Sequence, residues 1–258
     1  MADGYGTAAE FYDIAGRPYW KPRTSALTQA LGTAAQTNSP IVDIGAGTGL
    51  VVEIIGTALT EVPILAIEPS PAMRAALASR VLANPALARR VTIEATTLAD
   101  TTLPDRLGGV VACGVLGYFT PDERRRLWRL LADRLAPDCC AVVDAAPFPA
   151  NRAVRPIRVG VARFGARQHE IWLASRPIDV EGRIELTTTC RVLRDGQTVR
   201  ESVSTQQWWA LDMRTIAAEA TEAGLRCRRA GWDLANLSAA PTTPLDAQRS
   251  AAATSIKR

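Results

Sequence analysis

The segment from Val42 to Gly49, VDIGAGTG, holds the residues that most plainly point to chemistry. Gly45, Gly47 and Gly49 are spaced G-x-G-x-G between an apolar run that reads as a strand and a run that reads as a helix. Glycine lets the backbone turn sharply and approach a ligand, because no Cβ stands in the way. The helix that follows offers free N–H groups and the positive end of its dipole. The next apolar run ends at Glu68, nineteen residues after Gly49, where a carboxylate can accept both hydroxyls of a ribose. The nicotinamide fingerprint G-x-G-x-x-G would need glycine at Leu50, so the spacing argues against a nicotinamide oxidoreductase. Asp43 is a second departure from that fingerprint. An acid is unhelpful beside a pyrophosphate and suits a ligand that carries an ammonium group and no phosphate.

The elements that must position this loop alternate. Apolar runs at 40–45, 62–68, 91–95, 108–114 and 139–145 read as strands. Helices are expected at 48–59, 70–83 and 120–136. Ser70 and Thr120 are N-caps followed by proline, and Glu123 completes a capping box with Thr120. Such alternation with fully apolar strands implies a parallel sheet covered on both faces. Residues 150–167 are arginine-rich and are expected to be partly helical. Three strands at 169–180, 183–195 and 197–209 should form an antiparallel meander, with Asp195-Gly196 as a tight turn. A helix from 213 capped by Gly224, a strand after it and a weak strand near 234–240 close the pattern. The fold class is α/β: a Rossmann-like, doubly wound, mostly parallel sheet with an inserted antiparallel β-meander lid. The expected units are a core with an N-terminal cap at 1–149, a lid and meander at 150–211, a return to the core at 212–240 and a disordered tail at 241–258.

VDIGAGTG (42–49), IEPSPAM (67–73) and the strand and turn VVACGVLGYF (110–119) together resemble the class I methyltransferases that use S-adenosylmethionine (SAM). The resemblance spans about residues 10 to 145 and resumes around 212–230. It implies SAM as the cofactor. Gly45, Ala46 and Gly47, with Gly49 closing the loop, would lie along its methionine part, with Asp43 behind the loop facing the amino group. Glu68 would hold the ribose, and Pro69 and Met73 would sit near the adenine, although Met73 also fits a helix core. Cys113 and Gly114 would offer backbone carbonyl to the amino group, and Tyr12 resembles the tyrosine that reaches the SAM carboxylate. After the third strand the family usually has an aspartate for the adenine amino group. Here Thr97 takes that place with Leu98 behind it, and Thr96 or Asp100 are the substitutes at hand.

The acceptor side follows from the same resemblance. The N-terminal segment AEFYDIAGRPYW would fold over the cofactor, with Tyr19 and Trp20 walling the acceptor pocket. Tyr118 would lie where the methyl group projects, able to orient an acceptor, though its phenol has a high ordinary pKa for a base. His169, the only histidine, has the pKa range of a general base, and it equally fits a surface position at a strand start. Arg152 belongs to an acid-free stretch that reads as a solvated face or as a clamp for a substrate anion. Trp172 reads as pocket lining or as sheet packing.

The implied activity is methyl transfer to nitrogen, oxygen or carbon of a small-molecule acceptor of secondary metabolism. A nucleic-acid or protein methyltransferase and a SAM-binding partner subunit without catalysis are the alternatives. Against the first, the turn CGVLGYF lacks the prolines of base-amino methylating enzymes, and the basic residues form no nucleic-acid module. The 258 residues, 47% of them hydrophobic, suffice for one sizeable core. The net charge of +4 is modest, and among the basic residues only Lys21 and Lys257 are lysine. Five cysteines without a C-x-x-C pair and a lone histidine argue against zinc and for a reducing, cytoplasmic setting. No signal peptide is expected at the N-terminus. No apolar run is long enough for a membrane span, since 139–148 is broken by Asp144 and Pro147. A homodimer joined at the meander's edge is one assembly the pattern admits.

Overall fold

The computed structural model describes residue 6 and residues 8–239. The expected tail at 241–258 lies outside the described residues. Two helices, α1 (Ala9–Trp20) and α2 (Thr24–Leu31), precede the first strand. Strands β1 (Ile41–Ile44), β2 (Ile64–Ile67) and β3 (Val91–Glu94) then alternate with α3 (Leu50–Ala58), α4 (Pro71–Leu82) and the single turn α5 (Pro85–Ala88). They are followed by β4 (Gly109–Ala112), α6 (Pro121–Arg134) and β5 (Cys140–Asp144). The anticipated caps are in place. Ser70 accepts from Met73 N at 3.3 Å. Thr120 accepts from Glu123 N, while Glu123 accepts from Thr120 N at 2.7 Å.

The antiparallel region has four strands, β6 (Val154–Phe164), β7 (Arg167–Pro177), β8 (Arg183–Arg194) and β9 (Gln197–Trp209). β6 corrects the partly helical expectation for 150–167. Pro156 would deny a helix interior its N–H, whereas an edge strand tolerates proline. Ile157, Val159 and Val161 alternate with Arg158 and Gly160 at the period of a strand. β6 indeed pairs only with β7, and its register shifts between Val154 and Ile157. Asp195 and Gly196 both take positive φ, 51° and 79°, as a two-residue hairpin turn demands. The chain then returns through α7 (Met213–Glu222), β10 (Leu225–Arg229) and β11 (Leu234–Ala239).

The large sheet has the order β10-β11-β5-β4-β1-β2-β3. Its strands run parallel except β11, which is antiparallel to both β5 and β10. One face packs Leu127, Trp128 and Leu131 of α6 with Ile216 of α7, and the other packs Leu27, Leu31, Val52, Ile55 and Leu77. The order reverses at β1, which lies between β2 and β4, so a crevice opens beyond the carboxyl ends of these strands. Residues 45–49, Glu68, 113–114 and Asp144 all emerge on that edge. The meander stands beside it, joined to α1 through Phe11, Ile14, Ile171, Cys190 and Val192.

Candidate cofactor and acceptor site

The loop after β1 is pinned to the end of β2, because Gly45 N and Ala46 N both donate to Ile67 O, at 2.8 and 3.0 Å. Gly45 has φ 70°, and a Cβ there would come within 2.3 Å of Val115 Cγ1. Gly47 has φ 57°, and a Cβ there would lie in contact with the Tyr12 ring at 3.4 Å. At both positions the positive φ favours glycine, and at Gly45 a larger side chain would also collide with Val115. Glu68 is buried at the end of β2, and its two oxygens accept from Gly47 N and Ser70 N, each at 2.8 Å. A carboxylate has about four acceptor positions, enough to hold a vicinal diol besides these N–H groups.

Asp43 is 2% exposed, and its Oδ2 has no hydrogen-bond partner. Burial, and then the charge of Glu68, push its carboxyl up to about 8. An orphaned acid beneath a glycine loop is costly unless a cation reaches it. An amino-acid ammonium, as on SAM, fits that requirement. Tyr12 bridges the two sides, with its ring against Gly47 and its hydroxyl about 4.0 Å from the Cβ position of Gly114. Its phenol is raised, chiefly by burial. On the adenine side Met73 is fully buried and Pro69 is exposed. Thr97 donates to Asp100 Oδ2 at 2.6 Å, within the short turn that also contains Leu98. The carboxylate that Thr97 lacks is thus brought beside it by Asp100.

A cavity of about 520 Å³ adjoins these groups. Its walls include Tyr12, Tyr19 and Trp20 from α1, residues 113–117 after β4, and Asp144 with Phe148 after β5. The inner face of the meander closes it with Leu173, Leu186, Thr188, Gln206 and Trp208. Asp144 Oδ1 accepts from Gly114 N at 2.8 Å, and Oδ2 accepts from the Tyr19 hydroxyl at 2.9 Å. Tyr118 does not line the cavity. It donates from its hydroxyl to Gln206 and sets its ring edge on Trp208, with centroids 5.0 Å apart, so it braces the wall.

Besides Tyr118, three expected residues are not brought to the cavity. His169 lies on the inner face of β7 between the rings of Phe11 and Phe164, at 5.5 and 4.8 Å. It is four residues from Leu173, about 13 Å along a strand. Trp172 alternates onto the opposite face, where it donates to Glu170 Oε2 at 2.9 Å and carries Arg158 and Arg191 near its ring. Arg152 is exposed outside the cavity. Asp144 is the residue that sequence reasoning passed over. It ends an apolar strand, as Glu68 does, but its contacts with Gly114 and Tyr19 come from distant parts of the chain. Among the described residues no three His, Cys, Asp or Glu side chains gather as a metal site.

Residues 42–141 match the family model of a methyltransferase domain. No curated protein matches the sequence significantly. Among solved structures, DesVI of Streptomyces venezuelae aligns over 88% of this chain and 92% of its own, with TM-score 0.65 and 19% identity. SAM-bound CalS10, an amino pentose methyltransferase from Micromonospora echinaspora involved in calicheamicin biosynthesis, aligns over 89% and 97%, with TM-score 0.67 and 18% identity. The sugar N-methyltransferase KedS8 of Streptoalloteichus aligns over 86% and 92%, with TM-score 0.59 and 16% identity. At these identities the likeness is one of fold.

Proposed function

We propose that this chain is a class I SAM-dependent methyltransferase that methylates a small natural-product acceptor held between the sheet edge and the meander. The observation that carries this reading is the largely apolar cavity of about 520 Å³ beside Gly114 and Tyr12. A pocket of that size suits a small molecule. The names of the solved neighbours, an amino pentose methyltransferase and a sugar N-methyltransferase, favour an acceptor of the same general kind.

When bound, the cofactor supplies a methyl group on a sulfonium, which an acceptor lone pair takes as the carbon–sulfur bond breaks. The protein therefore need not provide a nucleophile. With the cofactor bound, Glu68 would hold the ribose and Asp43 the ammonium. Tyr12, whose ring lies beside Gly47, would cover the methionine end. Tyr19, Trp20, Leu173 and Trp208 hold the acceptor in line and keep water out, which is where the rate gain arises. His169 and Trp172 then serve packing, and Arg152 remains on the surface. The five cysteines are free thiols, in keeping with the cytoplasmic setting we infer, and the outer strands β6 and β9 offer edges for the homodimer. Among the described residues no helix is long and apolar enough to cross a membrane.

The test is to incubate the protein with SAM labelled at its methyl group and extract from the source cells. Label should enter a small molecule. Label in tRNA or protein would overturn the reading.

A further inference from the structure

Asp43, Glu68 and Asp144 stand at the carboxyl edge of the central strands, and they differ in what they face. Asp43 and Glu68 lie at the glycine loop and do not line the cavity, whereas Asp144 does and is the one charged side chain in its wall. Both of its oxygens are held by neutral donors, Gly114 N and the Tyr19 hydroxyl, so the carboxylate is fixed in place without being neutralised. The nearest cation is committed elsewhere. Arg23 donates to Asp233 from Nη2 at 2.6 Å and from Nε at 3.3 Å, and its guanidinium lies 3.9 Å from the centre of the Tyr19 ring. Asp144, Asp233 and Arg23 together carry one net negative charge beside an apolar cavity. Burial pushes the Asp144 carboxyl up to about 6, against the pull of Gly114 N and Tyr19. A buried charge left in that state is stabilised by a cationic partner.

Resting on the methyltransferase reading, we propose that Asp144 is a specificity-determining residue that selects a small-molecule acceptor carrying a basic nitrogen, which it holds through an N–H···Oδ bond. The acceptor nitrogen is then placed next to Gly114, which Tyr12 connects to the glycine loop. Tyr12, Tyr19, Arg23, Cys113 and Asp233 are the other ionisable groups around the carboxylate, and burial holds the Tyr12 phenol above its ordinary range as well. Arg23 and Asp233 form a closed pair, while the Tyr19 and Cys113 protons are held above their ordinary range by burial. Asp144 is therefore the group whose charge changes near pH 6.

The test uses the full chain saturated with S-adenosylhomocysteine (SAH) and two matched probes, cyclohexylmethylamine and cyclohexylmethanol, titrated by calorimetry. The amine should bind roughly tenfold or more tighter than the alcohol at pH 7.5, as a hydrogen bond to a charged group implies. That advantage should shrink at pH 5. Asp144→Asn should abolish it while leaving SAH affinity and alcohol binding within about twofold of the parent. Asparagine can still accept from Gly114 N, so the fold is kept. Tyr19→Phe, which spares the carboxylate, should retain the amine preference. An amine that binds no better than the alcohol, a preference that survives Asp144→Asn, or a fall in SAH affinity in that variant would overturn the proposal. Failure of the parent chain to bind SAH would instead remove the methyltransferase reading, and this inference with it.

Discussion

Replacing Glu68 by glutamine is nearly isosteric, and its effect can be worked from the contacts. The carboxylate accepts from Gly47 N and Ser70 N, one on each oxygen. In Glu68→Gln one of those N–H groups must face an amide NH₂, leaving a buried donor without its acceptor. That costs about 1–3 kcal/mol of stability. The ribose loses a second contact of the same kind, because an NH₂ cannot accept from a hydroxyl. A hydrogen bond to a charged group contributes about 1.5–3 kcal/mol, so SAH affinity should fall by roughly 10- to 150-fold. Calorimetric titration with SAH at pH 7.5, alongside thermal unfolding of the free variant, separates the two losses. The charge of Glu68 also raises the Asp43 carboxyl, second to burial, so the variant should shift the pH dependence of binding towards lower pH. If the variant is folded and binds SAH within about twofold of the parent, the ribose assignment is refuted.

Further outcomes follow from neighbouring contacts. Gly45→Ala sets a methyl group at φ 70°, within 2.3 Å of Val115. It should destabilise by about 2 kcal/mol or more and abolish measurable SAH binding, as unfolding and titration would reveal. The Asp43 carboxyl lies above its unfolded value, so its stabilising contribution is present below about pH 4 and lost as pH rises towards 8. The melting temperature of the free protein should therefore carry a falling component over that range, which Asp43→Asn removes, while SAH stabilises more at pH 7.5 than at pH 6. Gly117→Ala would push a methyl group to 2.6 Å from the Trp208 ring; steady-state kinetics should show KM for the acceptor rising while SAH affinity holds. Thr120→Ala breaks the capping box far from the site and should cost about 1 kcal/mol without changing SAH affinity.

The core was legible because each of its elements carries more than one signal. α6 has an apolar stripe, a proline at its first turn and a reciprocal cap, and the strands are apolar runs closed by glycine or acid. The glycine loop and Glu68 were readable by spacing alone. The meander was harder. β6 holds several arginines on an exposed edge, so charge masked an alternation that pairing with β7 reveals. The same period-2 geometry decides which meander residues reach the cavity. Ile171 and Leu173 do, while Trp172, between them, cannot. His169 shares their face but lies too far along the strand. Asp144 was hidden for the opposite reason, as an acid that interrupts an apolar run. Its meaning appears only when β5 is placed beside β4 and α1 brings Tyr19 to it, contacts separated by 30 and 125 residues in the chain.

Titrating SAH into the unmodified chain by calorimetry at pH 7.5, with NAD⁺ as the matched control, tests the central claim most directly. The glycine loop, Glu68 and the unpartnered Oδ2 of Asp43 together predict saturable single-site binding of SAH and no heat from NAD⁺. Binding of NAD⁺ without binding of SAH would contradict the account.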